Sequence, residues 1–168
     1  AMDWQVKELR SLIAAVLPSL AIEVVARIES TNSALVDRMR TAGSHVQARR
    51  SADSQPCLLV AEHQTRGRGR LGRAWMSSPG ASLTFSLALP MAPVDWSGLS
   101  LAVGVGLADA LEPLADGSLP RLRLKWPNDL WLTDPAAPMG GRKLGGILIE
   151  TVPAQGRRMC VVGVGLNI

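Results

Sequence analysis

Apolar positions along this chain follow two different rhythms. Trp4, Leu9, Leu12, Ile13, Val16 and Leu17 recur at roughly helical spacing until Pro18 interrupts them, which predicts a first helix over 4–17. Residues 22–28 are dense in β-branched side chains and predict a strand. Glu29-Ser30-Thr31-Asn32 then offers capping side chains for a second helix reaching about Arg40. After a polar, turn-rich stretch over 43–56 comes a buried strand over 57–62. Residues 63–75 show neither rhythm and are dense in glycine and arginine, so they predict a loop. A strand is expected over 82–89. The longest helical pattern runs over 96–114, weakened by Gly104 and Gly106. A short strand over 122–126 closes at Pro127, a brief apolar segment occupies 130–132, and a proline- and glycine-rich excursion fills 134–141. Residues 144–152 and 158–164 are two β-rich runs joined by a turn containing Gly156, and predict an antiparallel hairpin. Strands gathered around a few helices without a repeating βαβ order indicate the α+β class.

A chain of 168 residues, 47% hydrophobic and 19% charged, can bury a core as one domain without staples, and is too apolar for disorder. It contains no apolar run of the roughly eighteen residues that a membrane span needs. Its N-terminal stretch is charged throughout, unlike a secretory signal, so a cytoplasmic protein with no membrane partner is expected. Cys57 and Cys160 stand alone among aliphatic residues, and with only His45 and His63 beside them a structural zinc site has nothing to build on; buried, inert thiols are expected. The formal charge is +4, and all basic residues except Lys7, Lys125 and Lys143 are arginines, whose planar fork suits phosphate and carboxylate. An anionic ligand is permitted by this balance, not demanded.

Three clusters carry candidate chemistry. Gly67-Arg68-Gly69-Arg70-Leu71-Gly72-Arg73-Ala74-Trp75 follows Glu62-His63-Gln64-Thr65-Arg66. Its glycines let the backbone curl closely around a ligand while its arginines bring guanidinium donors to an anion. It fits neither GxGxxG opening a helix nor GxxxxGK followed by Ser or Thr, which argues against a dinucleotide site or a P-loop. The same composition also suits a nucleic-acid backbone or a solvated surface. Lys125-Trp126-Pro127-Asn128-Asp129 sets a cation, an aromatic and two polar side chains at a strand end; Asp129 could take a magnesium ion or a hydroxyl, and Asn128 an amide edge, or the whole could be turn material. In Gly141-Arg142-Lys143-Leu144-Gly145-Gly146-Ile147-Leu148-Ile149-Glu150, the paired glycines let a flat ligand lie against the backbone, and Lys143 would offer a point charge to a carboxylate or phosphoryl group, or simply face water.

These clusters, with Ser30-Thr31-Asn32 before them and Gly163-Val164-Gly165-Leu166-Asn167 after them, form an ordered series that resembles the motifs of biotin protein ligases. The resemblance runs from about residue 22 to the end, and five motifs in one order are far more specific than any one alone. It implies a mixed, largely antiparallel sheet flanked by helices, the catalytic fold that this family shares with lipoate ligases and class II aminoacyl-tRNA synthetases. It implies a biotin pocket lined by Ser30, Thr31, Asn32 and Gln64, with Gly145 and Gly146 against the ring. Lys143, Arg68 and Arg70 would act at the reacting carboxylate and phosphate. Trp75, Asn128, Asp129 and Asn167 would surround the nucleotide, with Asp129 as a magnesium ligand.

The activity implied is activation of biotin by ATP and magnesium to biotinyl-5'-AMP, then transfer to a lysine of the biotin carboxyl carrier protein of acetyl-CoA carboxylase. No covalent nucleophile is involved, and the family allows a homodimer. The series departs from the family at Leu71, often another arginine, and at Pro135 to Gly141, which resembles an inserted surface loop. Family members continue past Asn167 into further catalytic-domain residues and a small β-rich domain. The chain is thus expected to be a partial catalytic domain, without the winged helix of repressor-type members and without operator binding. Two rival expectations remain: a lipoate or octanoate ligase or transferase of the same fold, and a nucleic-acid-binding module that uses the arginine-glycine loop.

Overall fold

The computed structural model describes residues 3–44, 55–113, 117, 119–154 and 156–168. In chain order the elements are α1 (Val6–Ile13), β1 (Ala21–Ile28), α2 (Thr31–Ser44), β2 (Cys57–Gln64), β3 (Gly67–Arg68), β4 (Ala74–Trp75), β5 (Ser82–Pro90), α3 (Leu99–Leu111), β6 (Leu122–Lys125), β7 (Asp129–Thr133), β8 (Gly141–Ala154) and β9 (Arg157–Asn167). Seven strands make one sheet in the order β1-β2-β5-β9-β8-β7-β6. β1 and β2 run parallel, joined by the crossover through α2, and every other neighbouring pair is antiparallel. The fold is therefore α+β, a mixed and largely antiparallel sheet with helices packed against it, as expected.

Period-two alternation in β9 divides the molecule into two cores. Met159 and Val161 turn to one face, where they pack with Leu59, Ala88 and Val152 under Leu35, Val36 and Met39 of α2. Cys160, Val162, Val164 and Leu166 turn to the other, with Leu130 and Ile147, beneath Val103 and Leu107 of α3. Leu35 is fully buried, so truncating it to alanine costs about 2–5 kcal/mol. The two helices thus clamp opposite faces of one sheet. On the α2 face β9 continues past Val161 as Gly163 and Gly165, and the missing side chains leave room there for Asn32 and Trp75.

Several boundaries differ from the sequence pattern. The first helix covers 6–13 rather than 4–17: Gln5 has a left-handed φ of 45°, and beyond Ile13 the chain tightens, Val16 N donating to Ile13 O at 2.9 Å, before Pro18. Of the turn-rich stretch over 43–56, residues 45–54 lie outside the described residues, as does Leu114 at the end of the third predicted helix. Gly104, expected to weaken that helix, is buried against β6; a Cβ there would stand 2.7 Å from Cδ2 of Leu124. The glycine is what lets helix and sheet approach. The 63–75 segment is more ordered than a loop. β2 extends to Gln64, and β3 and β4 form a small hairpin with Gly67 paired to Trp75 and Arg68 to Ala74. A tight turn over 70–72 closes it, with left-handed φ at Leu71 (55°) and Gly72 (73°). The predicted hairpin of the last two strands is present and longer on both sides than the pattern indicated, because its flanking residues continue the ladder from Gly145↔Leu166 to Ala154↔Arg157.

Candidate functional site

The N-terminus of α2 opens the site. Ser30 caps the helix, its Oγ accepting from Ser33 N at 3.3 Å, in the manner expected for a residue that satisfies a free first-turn amide. Thr31 donates both its backbone N (2.7 Å) and its Oγ1 (3.0 Å) to Oε1 of Gln64, at the end of β2. Ser86 Oγ, fully buried on β5, lies 2.7 Å from Thr31 Oγ1 and 2.5 Å from Asn32 Oδ1. Asn32 spends both amide hydrogens, on Leu148 O (3.2 Å) and Glu150 Oε2 (3.0 Å). A side chain at Gly163 would collide with the Asn32 amide, so that glycine is the seat of Asn32. These groups hold one another, and the Gln64 amide, whose Oε1 is taken twice by Thr31, turns its remaining edge to the same site.

Gly165, next on the same face, is the seat of Trp75. A Cβ there would run into the indole ring, which β4 lays across the sheet. The Trp75 Nε1 is a buried side-chain donor with no hydrogen-bond partner among the described residues. Gln64, Ser30, Thr31, Asn32, Trp75, Gly146 and Gly163 all border a single cavity of about 610 Å³.

The cationic groups converge on the same cavity. Arg68, Arg70, Arg73, Lys125 and Lys143 line it, against one carboxylate, Asp129, so its field favours an anion. Lys143 arrives by a β-bulge. β7 pairs Asp129↔Gly146 and Leu130↔Gly145, then Trp131↔Lys143, so Leu144 is an extra residue in β8. Leu144 joins the α3-side core together with the neighbours of Gly145, while Lys143 turns to the cavity side, where its Nζ lies 2.8 Å from Asp129 Oδ1 and 5.8 Å from the Trp75 ring centre. Strict alternation from Gly146 would have placed Lys143 on the opposite face; the bulge re-aims it.

Arg68 and Arg70 play different parts. The Arg68 fork is committed, Nη1 to Ser33 Oγ at 2.9 Å and Nη2 to Glu150 Oε1 at 2.8 Å. Arg70, one residue into the hairpin turn, lines the cavity without a side-chain partner among the described residues. Asn128 borders the cavity too, but its Nδ2 donates to Ile147 O at 2.8 Å, pinning the turn after the Trp126–Pro127 cis bond. Gly145 and Asn167 are not on the cavity wall. Gly145 is pressed against Gly165 O and Leu166, so its glycine serves strand packing, and Asn167 Nδ2 reaches only Lys143 O at 3.4 Å.

The residues build no all-protein cage for magnesium, so an ion at Asp129 would take most of its oxygens from nucleotide phosphates and water. Asp129 is the one carboxylate on the wall and is already paired with Lys143, and no group of three or more His, Cys, Asp or Glu among the described residues could hold a metal. The thiols are likewise remote from this chemistry: Cys57 and Cys160 are buried in strands, and burial pushes the Cys160 thiol up to about 11. The groups that sequence reasoning missed are Ser86, Gly163, Gly165, Glu150 and the exposed Trp126 at the cavity rim. All of them except Ser86 stood within quoted motifs, without a role of their own; Ser86 carried no signal at all.

A family model, that of the biotin/lipoate A/B protein ligase family, matches residues 24–167. The chain belongs to this family. It is 39% identical over 155 residues to the bifunctional ligase/repressor BirA of Salmonella typhimurium, a match covering 90% of the chain and 42% of that protein. It is 37% identical over 150 residues to the biotin–[acetyl-CoA-carboxylase] ligase of Mycobacterium tuberculosis, covering 88% of the chain and 49% of that protein. The chain thus spans less than half the length of these relatives. Among solved structures, the biotin acetyl coenzyme A carboxylase synthetase of Helicobacter pylori with bound biotinylated ATP superposes with a TM-score of 0.65 at 29% identity, covering 89% of this chain and 61% of that one. The ligase family's fold is therefore carried by residues from β1 to β9, and the cavity described above is where its motifs meet.

Proposed function

We propose that this chain carries the adenylating site of a biotin protein ligase. It would activate biotin with ATP to biotinyl-5'-AMP and pass the acyl group to one lysine of a biotin carboxyl carrier protein, in acetyl-CoA carboxylase. The observation that carries this reading is convergence: the buried polar slot at the start of α2 and the cations Arg70 and Lys143 border one cavity, beside the Trp75 platform.

In the first step an oxygen of the biotin carboxylate attacks the α-phosphorus of ATP and pyrophosphate leaves. Arg70 and Lys143 offset negative charge as it accumulates on the phosphoryl oxygens, which is where fixed donors act most strongly. The Gln64 amide and the hydroxyls around Thr31 would read the polar edge of the fused ring, with Trp75 beside the nucleotide. In the second step the carrier's lysine amine attacks the acyl carbon, loses a proton, and AMP departs. Orientation and exclusion of water supply the rest, with no covalent enzyme intermediate. Magnesium enters as the counter-ion of the nucleotide's phosphates, with Asp129 the one cavity-wall carboxylate that could join them as a ligand.

Calorimetry with biotin, with ATP and with both, followed by mass spectrometry for the adenylate, tests the proposal. Tight binding of biotin and a biotinyl-adenylate mass are expected; a lipoyl- or octanoyl-adenylate without any biotinyl product would overturn it. An acyl transferase working through cysteine is disfavoured by the position of both thiols inside strands.

A further inference from the structure

We propose that Glu150 is a positioning residue that seats the β3–β4 hairpin over the cavity, with Arg68 as its strut rather than as a phosphate ligand. Glu150 lies on the α2 face of β8, opposite Val161 and two residues beyond Leu148 on the same face. Its two carboxylate oxygens are divided. Oε1 accepts from Arg68 Nη2 at 2.8 Å and Oε2 accepts from Asn32 Nδ2 at 3.0 Å. Arg68 completes the link by donating to Ser33 Oγ at 2.9 Å. One carboxylate therefore ties together three separate pieces of chain: the first turn of α2, the hairpin and the sheet.

The chemistry of this arrangement assigns different work to the two arginines. Two of the five Arg68 donors already meet a carboxylate and a hydroxyl, and the charge-assisted bond to Glu150 fixes where the guanidinium lies, so Arg68 turns a committed edge to the sheet although it too borders the cavity. Arg70 has no such commitment and lines the cavity. Glu150 does not border the cavity, so it acts on ligand only through what it holds. The other strand of the hairpin is held by Trp75 on Gly165, which leaves Arg68 as the side-chain tie of β3. Removing Glu150 frees the hairpin on one side. Arg70 then loses its aim, and the Asn32 amide loses one of the acceptors that orient it.

This inference rests on the ligase reading for its consequence in catalysis, but its structural core is tested without ligand. The hairpin holds three tryptic sites, Arg68, Arg70 and Arg73, with Arg66 just before it. In ligand-free protein, Glu150→Ala should speed cleavage after Arg70 and Arg73 about tenfold, with Glu150→Gln between it and the parent. The charge swap joining Arg68→Glu to Glu150→Arg should return cleavage to within about threefold of the parent, whereas each single reversal should not. In turnover, Glu150→Gln should raise KM for biotin and ATP more than it lowers kcat. Parent-like cleavage in Glu150→Ala, or a charge swap no better than its single variants, would overturn the role. Should Glu150→Ala melt early, the comparison of Glu150→Gln with the swap decides on its own. Failure of biotin and ATP to protect the parent hairpin would count against the ligase reading instead, and is a separate outcome.

Discussion

The ammonium of Lys143 sits 2.8 Å from Oδ1 of Asp129 and beside the bare backbone of Gly146, where an added Cβ would stand 3.4 Å from Nζ. Both side chains are part-exposed, so the pair is screened and contributes little to stability. Its effect is to hold the lysine at the edge of an anion-attracting cavity, where an incoming phosphoryl group competes with Asp129 for it. Lys143→Ala should therefore lower the rate of adenylate formation by about 10²–10³-fold, the usual loss for one fixed donor at developing charge. Biotin binding measured without ATP should change far less. Pyrophosphate release at the parent rate would remove Lys143 from the chemistry.

Arg70 should matter after the first step. Its guanidinium lines the cavity with no side-chain partner among the described residues, so on the ligase reading its donors are available to the adenylate phosphate. Arg70→Ala is expected to speed dissociation of biotinyl-adenylate about 10- to 100-fold, from the loss of a charge-assisted hydrogen bond. Stopped-flow release from preformed complex reads this directly, and an unchanged rate would place Arg70 elsewhere.

The two glycines of β9 are seats for functional side chains. Gly163→Ala drives a methyl into the Asn32 amide, and Gly165→Ala drives one into the Trp75 indole. Each should cost about 1–3 kcal/mol in urea unfolding. The affinity losses should separate: Gly163→Ala should weaken biotin first, Gly165→Ala the nucleotide. Equal losses for both ligands in both variants would show only general damage.

Cys160 supplies a pH prediction. Burial raises its thiol from 9.0 to about 11, so the folded state keeps the proton while the unfolded chain releases it. Stability that is intact below about pH 9 should fall as pH rises towards 11, by at most about 3 kcal/mol from this group. Denaturation of Cys160→Ala across that window should show a shallower decline than the parent. A native thiol that reacts rapidly with iodoacetamide at neutral pH would contradict the burial.

Much of this architecture is legible in the residues themselves. Alternation in the last two strands gives their hairpin and both of its faces, and Ser30 before an apolar periodicity marks the cap of α2. The ordered motifs around Gly67–Trp75, Lys125–Asp129 and Lys143–Gly146 give the family. Less legible are features that depend on contacts between distant segments. Glycine in a helix interior reads as a defect, yet Gly104 is demanded by Leu124 twenty residues later. A glycine-arginine stretch reads as irregular, yet the backbone of Gly67 and Trp75 closes a hairpin.

By itself, the sequence determined which residue types reach the site and in what order, because side-chain chemistry and local periodicity are properties of neighbouring residues. Only the tertiary structure decided where two of those charges point. An extra residue in β8 turns Lys143 to the cavity side, and Glu150, eighty-two positions from Arg68 in the chain, takes the fork that the motif alone assigned to phosphate. The reason is physical: a bulge is defined by the register of a partner strand, and an ion pair by a distance through space, and neither quantity exists until the chain has folded back on itself.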